Sequence, residues 1–200
     1  MRRVFVLLIL ALIFASPLEA AVLNIVAIGA SNTSGFGVGA EAAYPAQLAI
    51  LLRKKGIAAK VTNAGVNGDT TAAMLRRLDS AVPKGTNLVV LQPGGNDLRF
   101  GISKEQRAAN VTAMVRQLRA RNIRVIVYDP EIIPADFYQW DHIHFNAAAH
   151  ARIAAKLASE IAAVAAAQPA TPASAEPPSP PQPPSLQAPS PQRPPSLGQQ

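Results

Sequence analysis

The sequence predicts an α/β fold in which a parallel β-sheet is covered by helices on both faces. Four short apolar runs rich in β-branched residues alternate with stretches of helical apolar spacing, a pattern typical of parallel strands joined by right-handed crossovers. The length of 200 residues suits one ordinary domain and excludes a two-domain enzyme. A hydrophobic content of 49% with 16% charged residues excludes a wholly disordered chain.

The elements follow one another along the chain as strand, then helix. The strands are predicted at 22–28, 60–63, 87–92 and 124–128. The first helix begins near Pro45, which suits a first turn, and ends at Gly56, and the second spans about 71–80. Ser103 and Gln106 form a capping box for the third helix, and Asn146 caps the fourth. The inward-facing residues predicted for these last two helices are Val111, Met114, Val115, Leu118, Ile153, Leu157, Ile161 and Val164.

The two ends of the chain differ from the region between them. Residues 1–20 join a basic start to an apolar stretch and small residues before Ala21, the layout of a secretory signal peptide. Residues 168–200 hold twelve of the 18 prolines, which predicts a disordered tail after a domain at 21–167. We therefore expect a periplasmic or secreted protein. That location favours reactions that need only water, and we expect no cofactor.

Charge and cysteine content exclude further classes. The net charge of +7 belongs mainly to the domain, where it is consistent with solvated helix ends; contact with the cell envelope through this basic surface or the Pro-rich tail stays open. We expect no nucleic-acid partner, because the cations are not interleaved with aromatic residues. The absence of cysteine excludes disulfides, thiolate metal sites and a cysteine nucleophile.

Glycine-rich polar segments follow the first three predicted strands. Ser31 comes directly after the first strand in a segment that fits neither a phosphate loop nor a dinucleotide fingerprint, which leaves a nucleophile loop or a flexible turn. Gly68 precedes a predicted helix, and Asn96 follows two glycines, although each segment is also compatible with a plain turn. Because the carboxyl ends of parallel strands share one edge, we expect the site to lie there.

All three histidines fall between residues 141 and 150. Asp141 stands three residues before His144, where its carboxylate can accept the imidazole Nδ1 proton and direct Nε2 toward a serine. The alternatives are a metal site made from Asp141, His142, His144 and His150, whose spacing matches no familiar ligand set, and purely structural histidines. We expect no metal.

Together, these four blocks resemble the SGNH, or GDSL-like, hydrolase family over residues 22 to about 165. The resemblance implies a flavodoxin-like three-layer α/β/α sandwich with a four- to five-stranded parallel sheet, and serine esterase or thioesterase activity on acyl groups. It implies that Ser31 is the nucleophile, His144 the general base and then acid, and Asp141 its orienting partner. The oxyanion hole would consist of the backbone amides of Ser31 and Gly68 and the side-chain amide of Asn96.

Two features depart from the family pattern. Ala30 stands where the family usually has Asp, and only twelve residues separate Tyr128 from Asp141, too few for a further helix and a full fifth strand. The shortened segment predicts an open site and a preference for short acyl groups on a small-molecule, lipid or polysaccharide ester. Two alternatives remain, a catalytically silent exported binding domain of the same fold and a lipid- or lysophospholipid-directed esterase. We expect a monomer.

Overall fold

The computed structural model describes residues 22–129 and 133–166, so the predicted signal peptide and Pro-rich tail lie outside the described residues. The strands are β1 (Leu23–Gly29), β2 (Ala59–Gly65), β3 (Leu88–Gln92) and β4 (Arg124–Val127). The α-helices are α1 (Ser31–Ser34), α2 (Tyr44–Lys54), α3 (Thr71–Arg76), α4 (Leu78–Ala81), α5 (Asn96–Arg99), α6 (Lys104–Ala120) and α7 (Ala147–Ala166), and a 3-10 helix spans Ala135–Phe137. In this part of the chain no helix is both long enough and apolar enough to cross a bilayer.

The described strands form one parallel sheet in the order β2-β1-β3-β4. This is the lower of the two predicted strand numbers, as the short segment before Asp141 requires. Gly29 of β1 pairs with Gly65 of β2 and with Gln92 of β3. The three strands therefore end at the same level, and the loops that follow them meet at one edge of the sheet.

Alternate residues of the two central strands face opposite layers of helices, which confirms the three-layer arrangement. One hydrophobic core joins one side of the sheet to α2 and α7 through Ile25, Ala27, Leu88, Val90, Leu48, Leu52, Ile153 and Leu157. The other joins the opposite side to α3, α4 and α6 through Val26, Ile28, Val89, Leu91, Met74, Leu78, Met114 and Leu118. This strict alternation has the two-residue period of a pleated strand buried on both faces.

The predicted helix caps are present in part. Ser103 Oγ accepts the backbone N–H of Gln106 (3.1 Å), but the Gln106 amide donates to Asn110 and does not return to the cap, so the reciprocal half of the capping box is absent. Asn146 Oδ1 accepts the N–H of Ala149 (3.1 Å) at the start of α7. The inward orientation predicted for Val164 is wrong, because the buried stripe of α7 ends before its last turn and this side chain is exposed.

The predicted helix at 71–80 is two helices. Arg77 lies between α3 and α4 with φ −99° and ψ 8°. Its guanidinium points to the sheet edge, where Nε donates to Asp69 (2.6 Å) and a second nitrogen donates to the carbonyl of Gly29 (3.2 Å). The break in the helix thus coincides with a tie between the second loop and the end of β1.

Candidate active site

Ser31 lies at the carboxyl end of the central strand β1 and opens the one-turn helix α1. Its backbone N–H belongs to a first helical turn, where no intrahelical acceptor exists. Two residues later, the buried Thr33 hydroxyl donates to the side-chain oxygen of Gln92 at the end of β3 (2.6 Å). Gly65 at the end of β2 must be glycine, because a Cβ there would collide with the backbone of Ser34. The ends of three strands therefore support α1 and fix the position of Ser31.

The second loop places Gly68 at the exposed tip of a turn. Its φ of +79° lies in the left-handed region, and a Cβ built on it would contact nothing within 4 Å, so backbone conformation and not crowding favours glycine there. The turn is anchored on both sides: Val66 N–H donates to the Gly29 carbonyl (3.0 Å), and the Asp69 carboxylate pairs with Arg77 (2.6 Å).

The third loop places Asn96 at the first position of α5. Its side-chain Nδ2 donates to the backbone carbonyl of Asp69 (2.9 Å), and because the amide carries two hydrogens, one remains for a substrate. The next residue, Asp97, is fully buried and accepts hydrogen bonds from the backbone N–H (3.2 Å) and the hydroxyl of Thr71. Asn110 of α6 donates to the same hydroxyl (3.0 Å). The third loop is thus fastened to the start of α3.

The fourth loop brings Asp141 and His144 together. Asp141 Oδ2 lies 2.6 Å from His144 Nδ1, and Asp141 Oδ1 accepts the backbone N–H groups of His144 and Ile143, each at 3.0 Å. The hydrogen bonds from His144, backbone and side chain, and from Ile143 hold the pKa of the Asp141 carboxyl well below its usual range. The carboxylate is therefore ionised at neutral pH, and it fixes the imidazole with Nε2 as the nitrogen left for a partner.

Three contacts dock the fourth loop on α1 and on the turn that follows it. The backbone N–H of Phe145 donates to Asn32 Oδ1 (2.9 Å), next to the predicted nucleophile. Gln139 Nε2 donates to the carbonyls of Phe36 (2.7 Å) and Phe145 (2.9 Å). The His144 ring packs against the Phe36 ring with a centroid distance of 4.3 Å. These contacts hold His144 beside the short helix that Ser31 opens.

A cavity of about 520 Å³ opens next to these loops. Ser31 and Asn96 both line it, as do Ile143 and Phe145 on either side of His144, whereas Gly68 and the Asp141–His144 pair are outside the lining. Within residues 22–129 and 133–166, no hydrogen bond joins Ser31 Oγ to His144 Nε2. The structure thus gathers the four predicted blocks at one edge of the sheet and leaves the serine and the imidazole unbonded.

The other two histidines have separate environments. His142 is exposed with a left-handed φ of +54°. His150 is fully buried in α7, where its Nδ1 accepts the backbone N–H of Tyr44 (3.1 Å), and burial lowers its pKa to about 4. Among the described residues no group of three or more His, Cys, Asp or Glu side chains is arranged to hold a metal ion. The alternative metal site is therefore not assembled in this part of the chain.

Sequence reasoning did not identify the side chains that join the loops. Asn32 and Asp97 are each the direct neighbour of a predicted site residue in the sequence. That adjacency is the only feature of the sequence that points to them. Thr71 contacts Asp97 across 26 residues, and Gln139 contacts Phe36 across 103, separations that no local pattern reports. These side chains belong to the framework of the site.

Comparison with known proteins identifies the family. The profile of the GDSL-like Lipase/Acylhydrolase family matches residues 27–187. Esterase TesA of Pseudomonas aeruginosa is 29% identical over 117 residues, which are 58% of this chain and 58% of that protein. An arylesterase of Vibrio mimicus is 27% identical over 112 residues, 56% of each chain. The chain thus spans between half and two-thirds of the length of these two relatives.

Solved structures share the fold. The psychrotrophic esterase EstA from Pseudoalteromonas sp. superposes with a TM-score of 0.62 at 19% identity, covering 72% of this chain and 98% of that one. AlinE4, an SGNH-hydrolase family esterase, superposes with a TM-score of 0.51 at 29% identity, covering 70% of this chain and 72% of that one. The matched region covers most of the domain, and the four blocks described above lie within it. The chain therefore belongs to the GDSL-like lipase/acylhydrolase family.

Proposed function

We propose that this chain is a serine hydrolase that cleaves the ester or thioester bond of an acyl substrate through an acyl-enzyme intermediate. The observation that carries the proposal is the 2.6 Å hydrogen bond between Asp141 and His144, in a loop docked on the helix that Ser31 opens. Family membership supports it, and so do the names of TesA, the Vibrio mimicus protein and AlinE4, each an esterase.

Acylation begins when His144 Nε2 takes the proton of Ser31 Oγ as that oxygen attacks the acyl carbonyl carbon. A serine hydroxyl is a weak nucleophile until a base removes its proton, and such catalysis contributes about 100- to 10,000-fold. Asp141 keeps its charge and stabilises the imidazolium that forms. Closure of the gap between Ser31 and His144 on substrate binding fits this step, because catalytic hydrogen bonds often tighten only in the complex.

The negative charge on the carbonyl oxygen needs donors that are in place before reaction. Three serve this role in the proposal: the Ser31 and Gly68 backbone amides and the free N–H of the Asn96 side chain. Preorganised donors in a site shielded from water are among the largest single contributions to catalysis. The bond from Asn96 to the Asp69 carbonyl supports the assignment, because it fixes the orientation of the amide.

The leaving group departs with the proton that His144 received, and water then attacks the acyl-enzyme. His144 takes a proton from this water, the acid product leaves, and the proton returns to Ser31 Oγ. The cycle needs no cofactor and no electron transfer. It is compatible with the export proposed from the sequence, since water is the only co-reactant.

The shape of the site supports short acyl groups as the preferred substrates. Among the described residues the sheet ends at β4, so no further strand borders the cavity on that side. The volume of about 520 Å³ suits a small molecule, within the usual range of about 300–1,000 Å³ for ligand sites. Esters of long acyl chains or lysophospholipids would leave much of the chain in water.

A second candidate function is a binding domain without catalysis. Two observations favour it: Ala30 replaces the acid that usually precedes the nucleophile, and no Ser31–His144 hydrogen bond is present in the described residues. A binder of this kind would hold the ester in the same cavity without cleaving it.

Hydrolysis of 4-nitrophenyl acetate, butyrate and octanoate by the purified full chain tests the proposal. We expect turnover that Ser31→Ala abolishes, with higher kcat/KM for the two shorter esters. Ser80→Ala is the matched control, because Ser80 on α4 is exposed and its hydroxyl donates to the backbone carbonyl of Arg77. Activity that survives in Ser31→Ala rules out the proposed nucleophile, and a preference for octanoate rules out the short-chain proposal alone.

A further inference from the structure

One wall of the cavity beside Ser31 is cationic. Arg99 at the end of α5, Lys104 at the start of α6 and Arg107 one turn further along α6 all line it. Ser31 and Asn96 line the same cavity. A substrate held at the reacting end therefore shares one open cavity with three positive side chains.

Two of these cations have no acidic partner among the residues that the structure describes. Arg107 forms an ion pair with Asp129 (2.9 Å), which neutralises its charge, and it also donates a hydrogen bond to the Pro93 carbonyl (3.1 Å). The Asp97 carboxylate is fully buried and turned to Thr71. Arg99 and Lys104 are exposed and form no ion pair with any described residue. Across the described part of the cavity lining, the unpaired charge is therefore positive.

Lys104 stands at a helix position where the dipole favours acids. The positive end of the helix dipole lies at the N-terminus, so a lysine at the first position of the 17-residue helix α6 is slightly unfavourable there. The first turn of a helix normally favours acids, as Glu105 in the same turn illustrates. Lys104 is thus a cavity-lining cation at a position that the helix dipole does not favour.

We propose that Arg99 and Lys104 form a subsite for an anionic group on the substrate, which makes esters bearing a carboxylate or a phosphate the preferred class. The preference for anionic esters as substrates rests on the proposed hydrolase function, whereas the binding of the anion does not. The carbon skeleton between the anion and the scissile bond lies along the apolar part of the lining, which Leu98, Tyr138 and Ile143 supply.

Ion pairs at exposed positions are individually weak, and two of them acting together on one anion correspond to about tenfold in binding. The anion can belong to the alcohol or to the acyl part of the ester. For the alcohol side the matched substrates are 4-acetoxybenzoate and 4-acetoxybenzamide. For the acyl side they are the 4-nitrophenyl monoester of adipic acid and 4-nitrophenyl hexanoate.

The first measurement is the ratio of kcat/KM for the anionic and neutral members of each pair. We expect this ratio to be about tenfold higher in the wild type than in the double variant Arg99→Gln with Lys104→Gln, for one of the two substrate pairs. The difference should arise from a higher KM of the variant for the anionic substrate. The control, Arg53→Gln with Lys54→Gln, removes the same charge from the exposed end of α2 and should leave the ratio unchanged. Ratios that the cavity variant leaves unchanged in both pairs, or that the control lowers equally, overturn the subsite.

The second measurement does not depend on catalysis. Binding of the non-hydrolysable amides 4-acetamidobenzoate and 4-acetamidobenzamide to the full chain is followed by NMR titration. We expect about tenfold tighter binding of the anion, lost in the cavity variant and weakened by salt. Equal binding of the two amides, together with unchanged hydrolysis ratios, overturns the subsite even if Ser31 proves to be the nucleophile. Selective anion binding without hydrolysis supports the subsite and rejects the hydrolase.

Discussion

Asp141 is the residue on which the orientation of His144 depends. A carboxylate that accepts three hydrogen bonds within its own turn favours the ionised form, and the lowered pKa of Asp141 follows from those bonds. Because Oδ2 accepts a hydrogen bond from Nδ1–H, the neutral imidazole is held in the tautomer whose Nε2 accepts a proton. The charge of Asp141 therefore sets the chemistry of the proposed base.

Substitution Asp141→Asn tests this role at the residue scale. The amide retains the shape but can donate to Nδ1, which favours the wrong tautomer, so we expect kcat to fall by about 1,000- to 10,000-fold with little change in KM. Steady-state hydrolysis of 4-nitrophenyl acetate measures it. Asp136→Asn, at an exposed acid on the nearby 3-10 helix, is the matched control and should retain activity. A loss of less than tenfold in Asp141→Asn is incompatible with the proposed triad.

Asn96 gives a second prediction at this scale. Its replacement by Ala or Asp removes one oxyanion donor, and we expect kcat to fall by about 100- to 1,000-fold. The melting temperature should change little, because the side chain makes only one hydrogen bond, to a backbone carbonyl. Near-normal turnover in both variants would show that the oxyanion is stabilised elsewhere.

His150 predicts how stability depends on pH. Burial lowers its pKa from 6.5 to about 4, so the unfolded chain binds more protons than the folded one between these values. The free energy of unfolding is therefore highest above pH 6.5 and falls by up to about 3 kcal/mol on acidification to pH 4.

Urea unfolding at several pH values measures this dependence. His150→Asn retains an acceptor close to the position of Nδ1 for the Tyr44 N–H and does not titrate, so its stability should vary less over the same window. His142→Asn, at an exposed histidine, serves as the control and should follow the wild type. Parallel curves for wild type and His150→Asn would remove His150 as the cause.

At the scale of elements, the third loop depends on its bond to α3. Thr71→Val removes the hydroxyl that Asp97 and Asn110 share and leaves a buried carboxylate with a single backbone donor. We expect a loss of about 2–4 kcal/mol in the free energy of unfolding, because an unsatisfied buried charge is costly. Turnover should fall as well, because Asn96 directly precedes Asp97. Denaturant unfolding and the ester assay report the two effects separately.

Thr86→Val is the matched control for that substitution. Thr86 is also buried, but its hydroxyl donates to the Pro83 carbonyl in a turn before β3, at the opposite end of that strand from the third loop. We expect a smaller loss of stability and unchanged turnover. Equal effects of the two variants on kcat would argue against a link between α3 and the site.

The long elements were predictable because their patterns are local. β1 and β3 contain continuous apolar runs, Ile25–Ile28 and Leu88–Leu91, as buried parallel strands require, and Ser103 and Asn146 signal the starts of α6 and α7. The short helices α1 and α5 were not predicted, since one turn carries no periodicity. The break at Arg77 was not predicted either, because its cause is a contact with Asp69 and Gly29 that exists only in the folded chain.

At the scale of the whole molecule, the parallel topology itself gathers the site. Three strands end at one level, which places Ser31, the Gly68 turn and Asn96 along one edge. The order of strands and polar segments along the chain was enough to predict this shared edge. It did not predict that Asn32 and Gln139 would dock the fourth loop, because only a folded chain brings residues more than a hundred positions apart into contact.

Covalent labelling with a fluorophosphonate probe tests most directly whether Ser31, His144 and Asp141 act as one unit. Attack by an activated serine on the phosphorus displaces fluoride and leaves an adduct that mass spectrometry locates on a peptide. We predict an adduct on Ser31 in the wild type, none in Ser31→Ala, and a rate at least about 100-fold lower in His144→Ala. An unlabelled wild type, or an adduct formed on Ser31 at the same rate without His144, would contradict the assignment.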